Sequence, residues 1–106
     1  MANDDVNDKL PTLKELDAMG VPRKSVMCGF VVHVSDDEEF LVSETSNSGV
    51  EVAGWSGSPE NALRYPNAQA AYSFVKAYHK RNSVVCVLFE HNNQYLVYEL
   101  PEKNFK

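Results

Sequence analysis

The chain has 106 residues, 43% of them hydrophobic and 24% charged, and a formal charge of −5 from ten basic and fifteen acidic side chains. This length suits one domain with one core, and the apolar content excludes a wholly disordered chain. The acidic balance opposes general attraction to nucleic acid, whose affinity comes largely from phosphate neutralisation by Lys and Arg. Two cysteines, Cys28 and Cys86, lie far apart and form no C-x-x-C pair, and with His33, His79 and His91 they show no zinc-ligand spacing. They read as reduced core thiols, and no metal or cofactor is expected.

Residues 1–9 are polar and acidic, without the basic start and apolar stretch of a signal peptide. They read as a loose tail, and the chain is expected to stay in the cytoplasm. No apolar run approaches the roughly 18 residues of a membrane span. A single domain is expected over 10–101, followed by a short tail over 102–106.

Leu10 to Gly20 reads as the first helix. Thr12 and Glu15 fit the S/T-x-x-E capping box, in which two side chains satisfy free backbone N–H groups. Leu13 and Leu16 share a face, Gly20 terminates the helix and Pro22 prevents continuation. Val26 to Ser35 is a strand in which Val26, Cys28, Phe30, Val32 and Val34 alternate onto one face. Asp36-Asp37-Glu38 is a turn, and Phe40 to Thr45 returns with Phe40 and Val42 on one face. Ser46 to Gly49 is a loop, and Val50 to Trp55 completes an antiparallel meander.

Ser58 before Pro59 suggests a single helical turn through Arg64. Asn67 then caps the main helix, Ala68 to Lys80, whose apolar stripe is Ala68, Ala71, Tyr72, Val75 and Tyr78. Ser83 to Glu90 is apolar on both faces and belongs inside the sheet. Asn92-Asn93 is a tight turn, and Gln94 to Leu100 is the last strand, stopped by Pro101. The order α-β-β-β-α-β-β predicts an α+β fold: one antiparallel-dominated sheet of about five strands with the long helix across one face. The other face is left for the first helix, for solvent-tolerant aromatics or for a second copy of the chain.

No catalytic motif is complete. Gly54-Trp55-Ser56-Gly57-Ser58 fails the G-x-S-x-G spacing of a nucleophile elbow, and no lysine follows Gly57 as a P-loop requires. The acidic run Asp36, Asp37, Glu38 and Glu39 lacks the ligand spacing of a calcium loop. It reads as a solvated turn, or as a negative edge that meets a basic surface on a partner. Trp55 reads equally as an interface anchor and as a cap on one end of the core. The only basic cluster is Lys76, His79, Lys80 and Arg81. With strand aromatics such as Tyr95 and Tyr98 it offers single-stranded nucleic acid a second, less favoured site at Lys76, Lys80 and Arg81.

The stretch from Gly54-Trp55-Ser56 through Pro59, Ala62, Arg64, Tyr65 and Asn67 to Ala70-Ala71-Tyr72-Ser73-Phe74 resembles a recurring segment. That segment is the strand, W-S-x-x-P-x-x-A-x-R-F and helix of small uncharacterised accessory proteins of phages, plasmids and other mobile elements. The resemblance covers about a third of the chain. It implies a fold module in which Ala62 and Tyr65 pack under the sheet, and it brings no catalytic residues. It further implies a protein that acts by binding a host protein, such as a defence nuclease. The leading expectation is therefore a non-enzymatic protein-binding module using Asp36, Asp37, Glu38, Glu39 and Trp55. Nucleic-acid binding and a small enzyme with a dispersed site are the alternatives, and a homodimer is compatible with the apolar second face of the first strand.

Overall fold

The structure is a computed structural model that describes residues 12–47 and 50–101. The expected tails, Leu10, the Leu13 side chain and Ser48-Gly49 of the expected 46–49 loop lie outside the described residues, whereas residues 46 and 47 of that loop belong to a strand. Helix α1 spans Leu13–Met19, and the predicted capping box is formed in both directions between Thr12 and Glu15. Gly20 ends it in the left-handed conformation at φ 87°, which glycine adopts without a Cβ penalty.

Five strands among the described residues form one antiparallel sheet. They are β1 (Val26–Val34), β2 (Glu39–Asn47), β3 (Val50–Ser56), β4 (Val84–His91) and β5 (Gln94–Glu99), in the spatial order β3-β2-β1-β4-β5. Strand β4 pairs on both sides, which explains its two apolar faces. The β4–β5 hairpin turns at Asn92 and Asn93, both at positive φ, as asparagine tolerates.

Helix α2 spans Ala68–Ala77 and is capped by the Asn67 side chain, which accepts a hydrogen bond from the Ala70 N–H at 2.8 Å. It packs Ala68, Ala71 and Phe74 on one face of the sheet, against Phe30, Val32, Leu41, Val85, Val87 and Phe89. The helix ends three residues short of the predicted Lys80. Tyr78 is buried just beyond it in extended conformation, with its N–H still donating to the Phe74 carbonyl.

Helix α1 lies on this same face. Leu16 and Met19 join the cluster, and the Tyr98 hydroxyl donates to the Gly20 carbonyl at 3.3 Å. The first helix is therefore not the cover of the other face. That far face holds a second cluster of Val31, Phe40, Ala62, Cys86 and Leu88, with Cys28, Val84, Tyr95 and Val97 half-buried beside it.

The smooth alternation expected along β1 is broken. Its register against β4 slips between Met27 and Gly29, so Cys28 joins the far-face cluster while Val26 is left 62% exposed. Gly29 stands at φ 144°, and a Cβ there would meet Arg64 Cβ at 3.2 Å and the Tyr65 carbonyl at 3.3 Å. Glycine is required by both the conformation and the close approach.

That approach shows how β3 connects to α2. Strands β1 and β2 pair beside their turn, at His33–Phe40 and Val34–Glu39. Further along, residues 62–65 lie between them. The Leu63 N–H donates to the Leu41 carbonyl at 2.8 Å, and Tyr65 exchanges backbone hydrogen bonds with Phe30 at 2.7 and 3.0 Å. Ala62 packs into the far-face cluster, whereas Leu63 and Tyr65 pack into the helix-face cluster. The connection thus crosses from one face to the other through an opening in the sheet. The helical turn expected to reach Arg64 stops at Pro59–Asn61 for this reason: the next residues are extended and bonded to strands.

Candidate functional site

The β1–β2 turn carries the acidic run. Residues 35–38 form the turn, Glu38 takes φ 54°, and Glu39 opens β2. Asp37 and Glu38 are 62% and 79% exposed, and Asp36 makes no hydrogen bond or ion pair among the described residues.

The turn is tied to a distant part of the chain. Arg81, in the loop between α2 and β4, pairs through Nη1 with Glu39 at 2.8 Å and through Nη2 with Asp37, 44 positions away in sequence. Both contacts stabilise the charged guanidinium and raise its pKa, with the Glu39 hydrogen bond the largest cause. The same guanidinium lies over the Trp55 ring, 4.7 Å from its centroid. A cation held between an aromatic face and two carboxylates is favourably placed on both sides.

Trp55 is anchored from beneath. Its ring meets Phe74 edge-on at 6.3 Å and Tyr78 at 5.8 Å, and those two stack at 4.9 Å. It therefore closes one end of the core while its outer side carries Arg81. The acidic turn, Trp55 and Arg81 stand out in the sequence for separate reasons, and the fold brings all three together. The link between them has no local signal, because it depends on where the α2–β4 loop returns to the sheet.

The remaining basic residues lie apart from the turn's ion pairs. Lys76 Nζ lies 5.2 Å from the Tyr72 ring centroid, and Lys80 Nζ lies 6.0 Å from that of Tyr78. Arg81 is committed to Asp37 and Glu39. Of the three residues named for nucleic acid, Arg81 is thus paired within the chain, while Lys76 and Lys80 each lie beside a tyrosine ring.

His33 sits behind the turn on β1, stacked on Phe40 at 4.5 Å, with Nε2 buried and without a hydrogen-bond partner. Glu38 approaches it at 3.6 Å, an ion pair only when the imidazole is protonated. Among the described residues, no group of three His, Cys, Asp or Glu side chains is placed to hold a metal ion. A cavity of about 80 Å³ lies between Tyr72 and Val75 of α2 and Val84, Val85 and Leu100. An open depression of about 350 Å³ runs along residues 78–83 and has no carboxylate in its lining. No helix of the described residues is long and apolar enough to cross a membrane.

No protein-family model, curated protein or solved structure matches this chain.

Proposed function

We propose that the protein is a non-enzymatic protein-binding module that docks its β1–β2 turn on a basic surface of a partner. One observation supports this reading above the others: the acidic turn is clamped. Arg81 holds Asp37 and Glu39 against Trp55, so the turn is fixed by a side chain that is itself mostly covered, at 22% exposure. Asp36 and Glu38 then project from a stiff base. A binding surface ordered before the encounter avoids much of the entropy loss that a loose turn would pay on docking. The turn carries four carboxylates, and only Asp37 and Glu39 pair with the Arg81 guanidinium, so it keeps a negative excess that steers a positively charged partner.

The resemblance of the Gly54–Phe74 stretch to mobile-element accessory proteins gives the partner its proposed class. It is a host defence or nucleic-acid-processing protein, whose basic nucleic-acid path an acidic turn would occlude. The test is capture from host lysate on tagged protein, with and without nuclease, followed by mass spectrometry. A stoichiometric protein that survives nuclease and is lost with the Asp36→Lys, Glu38→Lys double variant agrees with the proposal. A partner held equally by wild type and variant removes the turn from the interface. Recovery that depends on nucleic acid favours the Lys76, Lys80 and Arg81 reading instead.

A further inference from the structure

Among the described residues strand β5 is an open edge of the sheet, and its backbone directions can be assigned. The Leu100 N–H donates to the Val85 carbonyl at 3.0 Å, and Glu99 stands opposite Cys86. In an antiparallel ladder the N–H and C=O of one residue point to the same neighbour, alternating along the strand. Leu96, Tyr98 and Leu100 therefore face β4, and Tyr95, Val97 and Glu99 direct their groups outward. Nothing among the described residues pairs with those three. The strand's sequence QYLVYE has no proline or lysine, and its register with β4 runs without a bulge.

We propose that this edge binds a second copy of the chain, β5 against β5, about a two-fold axis at Val97. Antiparallel pairing about a two-fold axis normal to the sheet keeps each side chain on its own face, so Val97 meets Val97 of the other copy and Tyr95 meets its Glu99. All the outward groups are then used, making roughly six backbone hydrogen bonds. An axis at Leu96 would use fewer, because Glu99 would fall opposite the Asn92-Asn93 turn. Pro101, with no N–H, ends the ladder on the other side.

Charge complementarity selects the same register. The Arg64 guanidinium lies over the Tyr95 ring, 5.4 Å from its centroid, and Arg64 is exposed. Glu99 is exposed on the same far face. Neither residue makes an ion pair among the described residues. Pairing Tyr95 with Glu99 of the other copy brings that carboxylate beside Arg64, and the two-fold repeats the contact. The β1–β2 turn lies across β4 and β1 from this edge, so the dimer leaves it free and the two proposals fail separately.

The test is sedimentation velocity of the full chain over a wide dilution series, with circular dichroism to check that each variant is folded. Wild type is expected to show a reversible monomer–dimer equilibrium. Val97→Pro removes an outward N–H without touching the β4 ladder, and should be monomeric. Arg64→Glu or Glu99→Arg alone should weaken the dimer by about tenfold, and the double charge swap should restore it. A wild type that is monomeric at every concentration overturns the proposal and leaves the edge to a strand of another protein. A dimer that survives Val97→Pro, or single reversals that the double swap does not rescue, overturns the register and with it the proposal.

Discussion

Arg81 is the residue on which the candidate site turns. It joins the α2–β4 loop, the β1–β2 turn and the Trp55 ring. Arg81→Ala should lower the melting temperature and shift Trp55 emission to the red, because the outer side of the ring loses its cover. Unchanged emission would mean that the guanidinium does not sit over the ring in solution. The two cysteines separate by environment. Burial, with a smaller contribution from Glu99, pushes the Cys86 thiol up to about 12, whereas Cys28 is half-buried at the bulge. A thiol reagent should label Cys28 in the native protein and Cys86 only after unfolding. The sign of the pH effect follows. Above about pH 9 the unfolded chain loses a thiol proton that the folded chain keeps, so stability falls as pH rises towards 12. The contribution is at most about 1.4 kcal/mol per pH unit. Cys86→Ala should flatten the alkaline slope of urea-unfolding free energy, whatever it does to absolute stability. An identical slope in the two proteins would exclude Cys86 as its source.

At the scale of elements, the strip at residues 62–65 holds the sheet open between β1 and β2 and bonds to both. Gly29 makes room for it. Gly29→Ala adds a Cβ in a left-handed conformation and against Arg64 and Tyr65, and should destabilise by about 1–3 kcal/mol in urea unfolding. A neutral result would show that the strip can shift away from β1. These features also mark where the sequence was and was not legible. The capping box at Thr12 and Glu15, the Gly20 stop, the Asn67 cap and the Asn92-Asn93 turn each depend on a few neighbouring residues, and all are found. The α+β class and the interior place of β4 follow from its two apolar faces. The bulge at Gly29 was not legible, because alternation continues through it in the sequence and only the approach of Arg64 reveals the slip. Nor was the strip: Pro59 signals a helical turn, but the bonds of Leu63 and Tyr65 to distant strands overrule its continuation. The end of α2 at Ala77 likewise reflects tertiary demand, since Tyr78 leaves the helix to stack on Phe74 beside Trp55.

At the scale of the molecule, two surfaces lie at different places on one sheet. The clamped acidic turn joins β1 to β2, and the open edge belongs to β5. The acidic run and Trp55 were visible as residues but not as a unit, because Arg81 is remote in sequence from both. The measurement that bears most directly on the proposed function is the affinity of the captured partner for wild type and for the Asp36→Lys, Glu38→Lys variant, at two salt concentrations. These two side chains project from the turn without forming its clamp, so the variant should remain folded. Docking of the acidic turn on a basic surface predicts at least about a tenfold loss of affinity, and a weaker salt dependence in the variant. Equal affinities with equal salt dependence would contradict it.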